Sequence, residues 1–327
     1  MIENPLASIV VVAYNQQQSL PKTLDSLLAQ KVDFPFEIVV GEDCSTDNTR
    51  KVLKGYVERY PDIIKPIYND TNKGVLGNYV STLEQCKGKY IAGCAGDDYW
   101  NDPEKLQMQA EIMEQNPEVG LVYTDVNVDS VVTNQQYVKA CQEPQDNLFT
   151  QLLHGCFITA PTACFRSELL QYVHFEEFQK LGFIMEDYPM WLTFSVYTKF
   201  CHLKRPTITY RIERSFINDP KTVSLHAVKF DENTTAIRLH FLKKYPDKTD
   251  LTENEILDAH NKIGYLAGLN MNDREFALKY VSQMHDRTPY VKRLTTICKS
   301  PLLFGLYQKY RALTGKKRSA LEMYFGM

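Results

Sequence analysis

Residues 90–100 read Tyr-Ile-Ala-Gly-Cys-Ala-Gly-Asp-Asp-Tyr-Trp. The first half is a short apolar run of the kind that forms a buried strand. The second half ends that run on two adjacent carboxylates, Asp97 and Asp98. A helix start follows at once, with Asp102 expected as its N-cap and Pro103 at the first helical position. Carboxylates at the carboxyl end of a strand, just before a helix, sit where open α/β sheets place their ligands.

The residues ahead of this stretch repeat its pattern. Ala7 to Tyr14 is a near-continuous β-branched run, the signature of a strand covered on both faces. Leu20, Leu24, Leu27 and Leu28 then mark one face of a helix that runs to about Gln30. Phe36 to Val40 is a second buried strand, followed by the acid-rich loop Glu42–Asp47 and a helix to about Tyr60. Ile63 to Tyr68 is a third strand. A polar loop, Asn69–Gly74, precedes a helix marked by Leu76, Tyr79, Val80 and Leu83. Four strands alternating with three helices imply parallel pairing with right-handed crossovers. The loops Tyr14–Ser19, Glu42–Asp47, Asn69–Gly74 and Ala95–Asn101 then share one sheet edge and face one crevice.

Beyond residue 100 the pattern predicts a helix over Glu104–Asn116 and a strand over Val119–Val128. Val131–Asn147 has no clear period and is expected as an irregular loop. A short helix and a strand are expected within Phe149–Phe165. Ser167 is placed as a helix cap, with a helix opening near Met185–Leu192 and a last strand over Leu203–Arg211. After about Ser215 the character changes to helices alone, over Val223–Tyr245, Leu251–Leu269 and Asp273–His285. Pro301–Arg318 mixes leucines and aromatics with Lys309, Arg311, Lys316, Lys317 and Arg318. It reads either as an amphipathic helix packed on the catalytic domain or as a segment that docks on anionic lipid.

The chain has 327 residues, a net charge of −3 and 44% apolar side chains. That composition suits one large domain with an appendage. It implies no polyanion-binding surface, so nucleic acid is not an expected partner. Eight cysteines lie scattered without a C-x-x-C pair, so they read as reduced core residues. The N-terminal residues lack a signal-peptide pattern. No apolar run approaches the ~20 residues of a membrane span. A cytoplasmic protein is expected, with peripheral membrane contact left open.

Several residues carry chemistry in this arrangement. Asp97 and Asp98 are hard oxygen donors suited to Mg²⁺ or Mn²⁺, which are often held by one or two carboxylates plus substrate phosphates. Such an ion would neutralise charge on a departing diphosphate; the alternative is a polar turn with a helix cap. Asp43 or Glu42 can accept from a base N–H or a ribose hydroxyl, or be solvated while Ser45, Thr46 and Asp47 cap the next helix. Tyr14 can stack on a base or simply be buried. Lys73 can pair with a diphosphate or be solvated. Glu186 and Asp187, at a helix start behind an apolar approach, can supply a general base if burial raises a pKa, or merely favour the helix dipole. His154 and His226 are weaker candidates, for acceptor contact and metal ligation. The dinucleotide-binding and P-loop glycine patterns are absent.

Taken together these residues resemble the family-2 glycosyltransferases, inverting enzymes of the GT-A fold. The resemblance runs through residues 10–15, 37–47, Asn72-Lys73-Gly74, residues 88–91, Gly96-Asp97-Asp98-Tyr99-Trp100 and Glu186-Asp187. Each motif is weak alone, while their order and spacing are specific. The resemblance covers about residues 5–215, which suggests a catalytic domain over 1–215 and a helical extension over 216–327. It implies a Rossmann-like, mostly parallel sheet flanked by helices. Val12 and Tyr14 would line the nucleoside site, Asp43 would bind the base and Glu42 would lie near the ribose. Lys73 would approach the diphosphate, Asp97 the ribose or sugar, and Asp98 would hold Mn²⁺ or Mg²⁺. Asp187 would deprotonate an acceptor hydroxyl that attacks the anomeric carbon with inversion. The donor would be a nucleotide-sugar, most simply a UDP-sugar. The acceptor would be a glycan or lipid-linked glycan in bacterial surface polysaccharide synthesis. Two departures stand out. Ala95 replaces an acid usual in the family, and Glu42-Asp43-Cys44-Ser45 replaces Asp-Asp-Gly-Ser. The rival readings are a sugar nucleotidyltransferase and a non-catalytic nucleotide-sugar-binding module; intact Asp98 and Asp187 argue against the latter.

Overall fold

The computed structural model describes residues 4–130, 135–212 and 220–314. The chain divides into two compact units, Met1–Ile212 and Glu213–Met327.

In the first unit, β1 (Ala7–Ala13), β2 (Phe36–Glu42), β3 (Ile64–Tyr68) and β4 (Tyr90–Ala95) alternate with α1 (Leu20–Leu28), α2 (Thr49–Arg59) and α3 (Gly74–Leu83). β1 pairs in parallel with both β2 and β4, and β2 pairs in parallel with β3. The loops that follow these four strands therefore do lie at the carboxyl edge of one parallel sheet. The remaining strands are β5 (Tyr99–Trp100), β6 (Val119–Ser130), β7 (Gln135–Lys139), β8 (Cys164–Arg166) and β9 (Lys199–Ile212). The sheet order is β3-β2-β1-β4-β8-β6-β9-β5, with β7 beside β6. β8 and β5 enter antiparallel, so the sheet is mixed beyond β4. Helices α4 (Lys105–Gln115), α5 (Leu148–His154), α6 (Phe175–Lys180) and α7 (Asp187–Phe194) complete the unit.

The burial follows the sequence periods. Ile9, Val10, Val11, Ile38, Val39 and Val40 are fully covered, because helices flank both faces of the parallel strands. Leu20, Leu24 and Leu27 place the stripe of α1 in the core, and each such side chain contributes about 1.5–3 kcal/mol by leaving water. α1 also reaches the Asp-Asp loop directly. The Thr23 hydroxyl, buried, donates to the Gly96 and Asp98 carbonyls at 3.0 and 2.7 Å. α3 lies so close on β2 that a Cβ at Gly41 would meet Thr82 Oγ1 at 2.0 Å. The Asn78 amide uses that closeness to donate to the Gly41 carbonyl at 2.9 Å.

Three local expectations are corrected. The first is Val131–Asn147, which is not wholly irregular. Gln135–Lys139 forms β7, paired antiparallel with β6, although its outward residues carry no apolar alternation to signal a strand. Residues 131–134 lie outside the described residues. The second is Asp102, which does not cap α4. The cap position is Glu104. Asp102 instead accepts the Glu104 backbone N–H at 3.0 Å and pairs with Arg205 Nε at 2.5 Å. The third is Ser167, which is the first residue of a short 3₁₀ helix rather than its cap.

The second unit is helical: α8 (Pro220–Lys244), α9 (Glu253–Asn270), α10 (Arg274–Gln283), α11 (Pro289–Lys299) and α12 (Pro301–Leu313). Thr252 with Glu255 closes a capping box on α9. Asp273, Thr288 and Ser300 cap the next three helices, each satisfying an otherwise orphaned N–H. Tyr265, Leu269, Tyr280, Val281, Leu294 and Phe304 build this unit's own core. The eight cysteines are all unpaired. No described helix is long and apolar enough to cross a membrane.

Candidate active site

Two loops at the carboxyl edge, 14–19 and 43–48, are tied together by hydrogen bonds. Asn15 N–H donates to Ser45 Oγ at 3.0 Å, and Thr46 N–H donates to Asn15 Oδ1 at 2.8 Å. Gln17 N–H reaches Asp47 at 3.2 Å. Burial pushes Asp47 up slightly, but the Thr49 and Gln17 donors outweigh it and hold the carboxyl below its ordinary range. Asn15 and Cys44 both adopt left-handed backbone, with φ of 54° and 57°. At the lip, Tyr14 is 46% exposed, its ring open to solvent.

Glu42 and Asp43 are buried at the end of β2, and both accept several hydrogen bonds from the protein. Glu42 accepts from Ser45 N–H at 2.6 Å and pairs with the Arg50 guanidinium. Arg50 is raised by that bond, and its other arm donates to the Asn69 carbonyl at 2.5 Å. Asp43 accepts from the Asn69 amide at 3.0 Å, Lys73 N–H at 2.9 Å and Gly74 N–H at 3.0 Å. It thus caps the start of α3 from another loop, with Gly74 supplying the positive φ that aims its N–H. The Lys73 side chain is exposed at this helix start.

Asp97 is exposed and Asp98 buried at the end of β4. Burial, and then the adjacent Asp97 charge, push Asp98 well above the usual carboxylate range; an Arg211 backbone N–H opposes them. No side-chain cation pairs with Asp98 among the described residues. A desolvated carboxylate beside a second carboxylate is a site that gains from a cation. No group of three or more His, Cys, Asp or Glu side chains stands ready for a metal among the described residues. Such a donor set does not fit an all-protein metal cage. It does fit Mg²⁺ or Mn²⁺, which keep waters and substrate phosphates in most positions.

A cavity of about 70 Å³ opens beside this edge. Val12 of β1, Cys94 and Ala95 of β4, Tyr79 of α3, and Glu186, Asp187 and Trp191 at α7 line it. Ala160 and Pro161 of the 3₁₀ turn Ala160–Thr162, and Ala163 after it, also line the cavity. The cavity therefore brings Asp187 to the strand that leads into Asp97-Asp98, although 89 positions of chain separate Asp187 from Asp98. Burial raises both acids. Glu186 is pushed further by the Asp187 charge, while backbone N–H groups at Tyr188 and Asp187 hold Asp187 back. The Tyr79 phenol is raised well above its usual value by burial and by the two carboxylates. A carboxylate raised toward neutrality is a better general base than an ordinary aspartate.

Sequence reasoning missed Tyr79, Trp191 and the 160–163 turn. Trp191 stands four residues after Asp187, on the same helical face, so that spacing was a usable signal. Its indole N–H is buried without a hydrogen-bond partner among the described residues. Tyr79 and the turn carried no such signal, since only the packing of α3 and β8 brings them to the cavity. His154 is exposed at the end of α5, and His226 lies in α8 of the second unit.

A carboxylate-bearing crevice at the carboxyl edge of a Rossmann-like, partly antiparallel sheet defines a GT-A glycosyltransferase. The family model "Glycosyl transferase family 2" matches residues 8–172, and the chain belongs to that family. It is 29% identical over 252 residues to the Escherichia coli UDP-Glc:alpha-D-GlcNAc-diphosphoundecaprenol beta-1,3-glucosyltransferase WfgD, covering 75% of this chain and 93% of that one. It is 40% identical over 121 residues to an uncharacterized Mycobacterium tuberculosis protein, covering 37% of this chain and 35% of that one. The chain thus spans only about a third of that relative's length. In fold it is similar to Staphylococcus aureus TarS 1-349 in complex with UDP-GlcNAc, with a TM-score of 0.54, 19% identity, and 98% and 92% of the two chains covered. It is similar also to the mannosyltransferase PcManGT from Pyrobaculum calidifontis in complex with GDP-Man and Mn²⁺, with a TM-score of 0.53, 16% identity, and 98% and 86% covered.

Proposed function

We propose that this glycosyltransferase moves a sugar from a UDP-sugar to a hydroxyl of a glycan or lipid-linked acceptor, with inversion, in polysaccharide biosynthesis. The observation that carries the reading is the placement of Asp187 in a largely apolar cavity that residues of β1 and β4 also line. Val12 and Tyr14 border the nucleoside side, where Asp43 stiffens the loop and offers its remaining lone pair to the base. Glu42 acts near the ribose by holding Ser45 and Arg50 in place. Lys73, exposed at the start of α3, meets the diphosphate. Asp98, with Asp97 beside it, would hold Mn²⁺ or Mg²⁺, which supplies positive charge opposite the diphosphate when bound. Asp187 takes the proton from the acceptor hydroxyl as its oxygen attacks the anomeric carbon, and the nucleoside diphosphate leaves from the other side. The apolar walls and Trp191 keep water from competing for the same carbon. Residues 1–215 form the catalytic domain and 216–327 a helical extension in this reading.

The metal ion and UDP-GlcNAc of the structural relatives, and the lipid-diphosphate acceptor of WfgD, support the choice of donor and acceptor class. The test is product identity. Incubation with Mn²⁺, a panel of nucleotide-sugars and a diphosphoundecaprenol-linked sugar acceptor should release nucleoside diphosphate, and Asp187→Asn should sharply lower that release. Release of pyrophosphate from a nucleoside triphosphate and a sugar phosphate would instead mark a nucleotidyltransferase and overturn the reading.

A further inference from the structure

α12 presents two different faces, one fastened within its own unit and one exposed. Phe304 and Arg311 are buried. On that side the Arg311 guanidinium donates to Asn270 Oδ1 at 3.0 Å, and the Gln308 amide donates to the Leu269 carbonyl at 2.7 Å. These bonds fasten α12 to the end of α9. At about 100° of turn per residue, Leu302, Leu313, Leu306, Tyr310 and Leu303 follow one another around an adjacent arc of about 100°. Their exposures are 74%, 87%, 55%, 50% and 40%. A helix at a water-facing surface carries polar residues on such an arc. Here it carries four leucines and a tyrosine, with only Lys309 at the margin.

Charge separates the possible occupants. From Pro289 to Arg318 the sequence contains no Asp or Glu against eight Lys or Arg, in a chain whose net charge is −3. Lys292, Lys299 and Lys309 are exposed. A second copy of the chain would set two such cationic segments against each other. A free phosphate would leave the leucines in water. An anionic bilayer satisfies both features: leucines enter the acyl boundary, tyrosine sits at the headgroup level, and lysines meet anionic headgroups. We propose that the exposed arc of α12, with the lysines of α11 and α12, docks the protein on an anionic lipid surface. This goes beyond the assignment of the reaction and does not depend on it.

The test is sedimentation of the full chain with vesicles. The intact protein should sediment with vesicles of equal parts phosphatidylcholine and phosphatidylglycerol, and far less with phosphatidylcholine alone. Leu302→Ser, Leu306→Ser and Leu313→Ser together should weaken binding on the order of a hundredfold. Lys292→Glu, Lys299→Glu and Lys309→Glu together should weaken it by a similar factor, at about fivefold per cation, and raised salt should mimic that loss. Because all six side chains are exposed, thermal melting should be unchanged in both variants. Absence of intact protein from the anionic pellet would overturn the proposal, as would binding that survives both triple substitutions. A dimer of the intact chain that the leucine variant dissolves, without vesicle binding, would assign the face to self-association instead.

Discussion

Two Glu-Asp dipeptides stand at the rim of the same sheet, and they have opposite characters. Glu42-Asp43 is bonded by Ser45, Arg50, Asn69, Lys73 and Gly74. Glu186-Asp187 faces a cavity with apolar walls and has backbone N–H groups for relief. The first pair uses its charge to hold loops together. The second is charged only against desolvation and can accept a proton. Identical chemistry thus gives scaffold in one place and a candidate base in another, and the difference lies in which groups sit beside the oxygen atoms.

The contrast is tested most severely at Asp187. Asp187→Asn should lower turnover of nucleotide-sugar by about 10²–10⁴-fold, the range for loss of a general base. Stability should move the other way. A carboxyl whose folded pKa lies above its unfolded value loses stability as pH rises from the unfolded pKa to the folded one. Removing that ionisation should therefore raise stability near pH 8 by roughly 1–2 kcal/mol, since a tenfold change in proton affinity corresponds to about 1.4 kcal/mol. Steady-state kinetics and thermal melts check both signs. Unchanged turnover would remove Asp187 from the chemistry.

Asp43→Ala should do the reverse. It leaves the Lys73 and Gly74 N–H groups and the Asn69 amide without their acceptor, costing about 2–3 kcal/mol, read as a lower denaturant midpoint. An Asp43 variant as stable as the parent would show that the bonds are not what distinguishes the two pairs.

The pH profile separates the two pairs by a different readout. kcat/KM should fall as pH drops through the raised Asp187 pKa, because only the ionised base accepts a proton. That limb should lie above the range of an ordinary aspartate, near 3.9. In the wild type, Mn²⁺ should raise the melting temperature, since a ligand bound only by the folded state stabilises it by about 2.7 kcal/mol at a hundred times Kd. Asp98→Asn should cancel most of that rise, and chelation should abolish turnover. An equal Mn²⁺ effect in Asp98→Asn would move the metal elsewhere. The smallest effect is expected at Cys44, an L-residue at φ 57° where the family favours glycine. Cys44→Gly should stabilise by about 1 kcal/mol or less, relief of left-handed strain being partly offset by glycine's unfolded-state freedom. A calorimetric melt detects it.

Much of this could be read from the chain alone because it rests on short-range periods. The β-branched run of β1, the leucine stripe of α1 and the acids that end β2 and β4 each specify an element or its edge. Their alternation then puts four loops on one side by handedness. β7 escaped this reading, since its pairing with β6 rather than its own pattern makes it a strand. Asp102 was misplaced for a similar reason: Arg205, 103 positions later, draws its carboxylate away from the cap.

Asp43, Asp98 and Asp187 were singled out by position, and all three stand at the crevice edge or its cavity. Their different electrostatic states could not be read that way. A carboxylate's proton affinity depends on solvent and partners within a few ångströms, and these come from distant parts of the chain. Arg50 and Gly74 reach the first pair, and Tyr79 and the 160–163 turn wall in the second. Local sequence therefore determined which acids end the strands. Only tertiary packing decided which of them are bonded and which are desolvated with few partners, because desolvation and hydrogen bonding are properties of the assembled neighbourhood.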